Sequence, residues 1–197
     1  ANPLDLALKK PECVDIIQGS PVAVPLIDVT RRFARVLAAG GDASRVVFSG
    51  VGKTRAEMAF AVNEGILGFN VESEAELEAL SSVASELGRT ARVALRVNPD
   101  VDAGTHAKIS TGKKENKFGV AIDQAPAIFD RLARLPGLRM RGVALHIGSQ
   151  LFDLAPLEAA YVRIGQLVAD LRAMGHDIDR VDLGGGLGVP YKASENP

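Results

Sequence analysis

Residues 45–73 read RVVFSGVGKTRAEMAFAVNEGILGFNVES, and one unit of fold is legible in them. "RVVFSG" (45–50) is a short β-branched run closed by glycine, which reads as a buried strand. "TRAEMAFAVNEG" (54–65) has helical spacing. Thr54 stands at the N-cap, Glu57 completes a capping box three residues on, and Gly65 falls where a left-handed C-cap belongs. "ILGFNVES" (66–73) is the next strand. A strand, a helix and a second apolar strand in this order form a crossover unit, and crossover units build parallel sheets.

The same alternation continues along the chain. "EAELEALSSVASELG" (74–88) predicts a helix and "ARVALRVNPD" (91–100) a strand. A helix follows at 122–137, a strand within 138–149, a long helix over 154–176 and a last strand at 178–186. Five strands joined by helices leave two α/β architectures, an open doubly wound sheet and a (β/α) barrel. In both, ligands gather at the carboxyl ends of the strands. The polar and glycine signals fall there: Ser49-Gly50, Asn70, Asn98-Pro99, His146 to Ser149, and Gly184 to Gly186. Residues 1–44 fit less well. "RRFARVLAAGGD" (31–42) predicts a helix, and "SPVAVPLIDV" (20–29) reads as a strand that its two prolines demote to an edge or an irregular segment.

Composition bounds the function. The chain has 197 residues, 47% of them hydrophobic and 24% charged, as expected of a globular domain with a sizeable core. A net charge of −1 offers no basic field for nucleic acid or an anionic membrane. Cys13 is the only cysteine, which excludes an internal disulfide and points to a reducing compartment. With no long apolar run and no signal-like opening, the expectation is a cytoplasmic protein.

Six residues are candidates for chemistry. Gly184, Gly185 and Gly186 follow the last strand, where bare backbone lets N–H groups close on an anion; a tight turn with nothing bound is the competing reading. The spacing is not that of a dinucleotide fingerprint. His146 sits at a strand mouth in "LHIGSQ", with Ser149 three residues on, where its hydroxyl can meet a phosphate oxygen. No spaced carboxylates or thiols accompany it, so no metal site is expected. Arg96 lies inside an apolar strand and needs a partner there. The polar stretch 101–119 reads either as an active-site loop or as a solvated charge run. The acids of "NVESEAELE" (70–78) read as a helix start rather than a catalytic pair.

Taken together, "VVFSGVGKT", "FNVESEAELE", "RVNPDVDAGTHAKISTGKKENKFG", "HIGSQ" and "DLGGGLGVPY" resemble the diaminopimelate decarboxylases, in order from Phe33 to Tyr191. That resemblance implies part of an alanine-racemase-like (β/α)8 barrel that binds pyridoxal 5'-phosphate, spanning 33–197 after a poorly matched segment, 1–32. It implies that His146 stacks on the pyridine ring, that Ser149 and the amides of Gly184, Gly185 and Gly186 meet the phosphate, and that Arg96 serves the cofactor side. It further implies decarboxylation of meso-diaminopimelate to L-lysine by a homodimer. The related ornithine, arginine and carboxynorspermidine decarboxylases are the alternatives, together with a non-catalytic barrel.

The match has departures. The family's Schiff-base lysine, in Tyr-Ala-Val-Lys-Ala-Asn, has no counterpart, although Ala1-Asn2 could be the two residues after it. Lys9, Lys10 and Lys53 are not substitutes. An altered reading frame upstream of Phe33 would account for the loss of resemblance there. The family's Glu-Pro-Gly-Arg and Cys-Glu-Ser segments and its carboxyl-terminal β domain lie beyond the residues given. The expectation for this chain alone is therefore an incomplete, inactive barrel with exposed sheet edges.

Overall fold

A computed structural model describes residues 15–18, 27–101 and 118–190. The expectations for Ala1-Asn2, Lys9, Lys10, Cys13 and most of the 101–119 loop fall outside them. The strands are β1 (Asp15–Gln18), β2 (Val46–Ser49), β3 (Gly68–Val71), β4 (Ala91–Asn98), β5 (Val120–Ala121), β6 (Leu138–Ala144) and β7 (Arg180–Asp182). The helices are α1 (Ile27–Ala38), α2 (Arg55–Glu64), α3 (Glu74–Glu86), α4 (Ala125–Leu132) and α5 (Ala155–Ala173). Every strand pair is parallel, in the order β1-β2-β3-β4-β6-β7, with β5 paired to the end of β4. The fold is α/β, a curled parallel sheet with helices, as in part of a TIM-type barrel.

The local signals around 45–73 act as their chemistry requires. The Thr54 hydroxyl accepts from Glu57 N, and the Glu57 carboxylate accepts from Thr54 N at 2.8 Å, so the box closes in both directions. Gly65 ends α2 at φ 68°, a conformation cheap only without a Cβ. In β4 the burial alternates. Ala91, Val93, Leu95 and Val97 pack into the core, which leaves Arg92, Ala94, Arg96 and Asn98 on the other face. The core beneath the helices includes Phe69, Leu77, Phe129, Ile164 and Leu171, each burial stabilising by about 1.5–3 kcal/mol.

Ile27 already opens α1, so Ile27–Val29 of "SPVAVPLIDV" are helical, and the rest of that stretch lies outside the described residues. A strand that the sequence did not suggest, "DIIQ", pairs with β2 in parallel register. The two-residue β5 was missed because two residues carry no periodicity. β7 ends the strand order, and Val181, Leu183, Leu187 and Val189 are exposed there. Among the described residues no helix is long and apolar enough to cross a membrane.

Candidate functional site

Strands β2, β3, β4, β6 and β7 all point their carboxyl ends at one cleft of about 490 Å³. Ser49, Asn70, Arg96, His146, Ser149, Asp182 and the three glycines line it. All six residues singled out from the sequence therefore meet in one place. No group of His, Cys, Asp or Glu among the described residues could hold a metal ion.

The glycine turn is built against the end of β6. Gly184 has φ 68° and Gly186 φ 108°, so both occupy backbone space that side chains disfavour. A Cβ on Gly184 would collide with Leu145 O, and one on Gly186 with Gly148 O. Gly185 is different, because a Cβ there would meet nothing within 4 Å. The three amides also differ. Gly184 N donates to Asp182 Oδ1 at 2.8 Å, and Gly185 N reaches His146 Nδ1 at 3.4 Å. Gly186 N donates to nothing among the described residues, while Gly186 O accepts from Leu151 N at 2.8 Å.

His146 is half-buried, and burial, reinforced by the Arg96 charge, lowers its pKa below the ordinary 6.5. Asp182 and Glu72 oppose that shift. The Gly185 contact requires Nδ1 to act as acceptor, which places the proton of the neutral ring on Nε2.

The partner that Arg96 needed is Glu72: Arg96 Nη1 donates to Glu72 Oε1 at 2.7 Å, with both side chains largely buried. The guanidinium also stands 5.5 Å from the centroid of the Phe118 ring. Glu72 Oε2 is buried with no hydrogen-bond partner among the described residues. The motif "GVGKT" supplies the next pair. Lys53 Nζ donates to Gly50 O at 2.6 Å, Asn70 O at 2.7 Å and Glu76 Oε1 at 2.5 Å. Lys53 thus donates to three partners within the fold. Burial lowers the Lys53 pKa and raises that of Glu76, and each charge works against the other's shift.

Sequence reasoning put Asn70 at the strand-end rim but missed Glu72, Glu76 and Asp182 as members of this frame. Glu72 and Glu76 belong to a stretch read as helix-start acids. Ser73 does cap α3 by accepting from Glu76 N, but the carboxylates of Glu72 and Glu76 turn toward Arg96 and Lys53. For Asp182 a signal existed: an aspartate two residues before a turn glycine is disposed to accept that glycine's N–H.

The comparisons agree with this geometry. Residues 30–197 match the family described as pyridoxal-dependent decarboxylase, pyridoxal binding domain. The diaminopimelate decarboxylase of Pseudomonas aeruginosa is 58% identical over 163 residues, covering 83% of this chain and 39% of that protein. That of Zymomonas mobilis is 54% identical over 158 residues, covering 80% of this chain and 38% of the relative. The chain thus spans about two fifths of the length of these curated relatives. The crystal structure of diaminopimelate decarboxylase from Helicobacter pylori complexed with L-lysine superposes with a TM-score of 0.77 at 43% identity, over 84% of this chain and 42% of that one.

Proposed function

From the premise that the chain belongs to the pyridoxal-dependent decarboxylases, through their pyridoxal binding domain, we propose that it serves the decarboxylation of meso-2,6-diaminopimelate to L-lysine and CO2. The observation that carries this reading is the convergence of His146, Arg96 and the Gly184–Gly186 turn in one cleft. Relatives named for this reaction, and a neighbouring structure holding L-lysine, the expected product, favour diaminopimelate over ornithine or arginine.

The residues present fit the cofactor. A turn that excludes side chains at Gly184 and Gly186, with Gly186 N free of partners among the described residues, suits a phosphate dianion. Ser149 adds a hydroxyl on the same wall of the cleft. His146, kept neutral, offers a flat face to an aromatic ring without a charge to desolvate. Arg96, held by Glu72, brings a fixed cationic donor to the floor. Pyridoxal 5'-phosphate, when bound, supplies the electron sink for the carbanion left as CO2 departs. Gly186 and Ser149 would hold its phosphate, His146 would face its ring, and Arg96 would supply positive charge in the same cleft. We read residues 33–197 as the unit that does this, within a cytoplasmic homodimer acting on a small amino acid, with neither nucleic acid nor membrane as partner. The near-zero net charge and the lack of a membrane-crossing helix among the described residues support that reading.

The test is to purify the protein in its full natural sequence with pyridoxal phosphate and follow CO2 and lysine release. Meso-diaminopimelate, ornithine and arginine should be offered separately. Lysine from diaminopimelate alone is expected. Turnover of ornithine with diaminopimelate untouched would overturn the reading.

A further inference from the structure

Asn70 and Asp182 are 112 residues apart, on β3 and β7, and β4 and β6 lie between these strands in the sheet. Their side chains nevertheless meet across the mouth: Asn70 Nδ2 donates to Asp182 Oδ2 at 2.6 Å. Asp182 can only accept, so the contacting atom of Asn70 is its amide nitrogen. The same amide group lies 3.4 Å from Ser49 Oγ on β2. The other oxygen of Asp182, Oδ1, accepts from Gly184 N at 2.8 Å. One carboxylate therefore ties the far wall of the cleft to the first amide of the glycine turn.

Its consequence concerns the amides that remain. The Gly184 N–H is spent on Asp182, and Gly184 sits at φ 68° with Leu145 O in the space that a Cβ would take. The bond anchors the first residue of the turn and so narrows how the next two N–H groups can be set. Gly185 N lies against His146, and Gly186 N is left without a partner among the described residues. We propose that Asn70 and Asp182 are positioning residues. As a donor–acceptor brace they hold the Gly184–Gly186 turn so that the amide of Gly186, which has no partner among the described residues, stays open to the phosphate of the cofactor. This rests on the cofactor reading above and adds to it the residues that determine phosphate affinity. Both oxygens of Asp182 already accept hydrogen bonds, so the carboxylate acts on the turn and not on the phosphate directly.

The brace has a chemical test that separates it from general stability. N70D sets two carboxylates face to face, and no rotation of either side chain supplies a donor. D182A removes both acceptor oxygens. D182N alone would be forgiving, because the Asn70 amide can turn over and present its oxygen. The swap N70D/D182N restores one donor and one acceptor across the mouth, with an oxygen still available for Gly184 N.

Binding of pyridoxal 5'-phosphate and of pyridoxal, which lacks the phosphate, should be measured by calorimetry on the protein in its full natural sequence. Wild type is expected to prefer the phosphorylated form. N70D and D182A should each cut that preference about tenfold, the scale of one charge-assisted hydrogen bond, while pyridoxal binds as before. The swap should return the preference to near the wild-type value. Single variants that keep the full preference would overturn the inference and leave the cofactor reading standing. Equal losses for both ligands, tracking a lowered melting temperature, would reduce the brace to a structural role and also overturn it. A wild-type protein that binds both forms equally, or neither, would overturn the cofactor reading itself.

Discussion

Lys53 Nζ lies 2.5 Å from Glu76 Oε1, and the lysine side chain has no exposure to solvent. The pair joins the loop after β2 to the first turn of α3, and Lys53 additionally ties down the carbonyls of Gly50 and Asn70. Removing the lysine alone leaves a largely buried carboxylate without its counter-charge and takes one donor from each of two carbonyls. K53M is therefore expected to destabilise the fold by about 3–5 kcal/mol. In the double variant K53M/E76Q the stranded charge is gone, while the amide oxygen can still accept from Glu72 N. It should recover more than half of the loss. Urea unfolding of wild type, single and double variants checks this, and a K53M midpoint at the wild-type value would dismiss the pair as a contributor to stability.

The cap of α2 gives a smaller and cleaner expectation. Thr54 accepts from Glu57 N while its own backbone N–H and hydroxyl donate to the Glu57 carboxylate. Thr54→Ala should cost about 1 kcal/mol, with little further loss when Glu57→Gln is added, because the two side chains serve one box. Additive losses in the double variant would count against a shared box.

What was legible in the sequence and what was not divides along a physical line. The Thr54–Glu57 box and the Gly65 cap were legible because their interactions span at most a few residues. The strand faces were legible because their period is two, as in β4. The gathering of His146, Ser149, Arg96 and the glycines was legible indirectly: parallel sheets bring strand ends together, and all these residues sit at strand ends. Which partner each side chain takes was not. Arg96 had to have one, but nothing in one dimension says that it is Glu72 rather than any other acid of the 70–78 stretch. The Asn70–Asp182 contact, between strands that do not pair with each other, leaves no periodic trace at all. β1 was not legible for a different reason: four residues, "DIIQ", are too few to show a period.

The glycine turn separates folding from binding one position at a time. At Gly186 a methyl group would meet Gly148 O, and φ 108° is strained for any side chain. Gly186→Ala should therefore lower the melting temperature and bind cofactor poorly. At Gly185 a Cβ meets nothing within 4 Å and the backbone is not left-handed, so Gly185→Ala should fold like wild type. Any loss of pyridoxal phosphate affinity in Gly185→Ala then reports on the approach of the phosphate to the backbone. Thermal melts beside cofactor titrations distinguish the two, and equal destabilisation by both substitutions would contradict the geometry.

Stability should also depend on pH through His146. Its folded-state pKa lies below the ordinary 6.5 because the ring is half-buried and Arg96 is near, with Asp182 and Glu72 only partly offsetting them. In the unfolded chain the imidazole takes up a proton as the pH falls through about 6.5, whereas in the folded protein it does so only at lower pH. Acidification across that interval therefore favours unfolding. The stability present above pH 6.5 or so drains away as the pH falls toward the folded-state value. His146→Phe removes the titrating group and keeps a flat ring at the cleft. Urea midpoints at pH 7.5, 6.5 and 5.5 should fall more steeply for wild type than for His146→Phe, since the two proteins are otherwise identical. Parallel decline of the two would mean that burial does not hold His146 neutral, and its place as an uncharged face in the cleft would have to be given up.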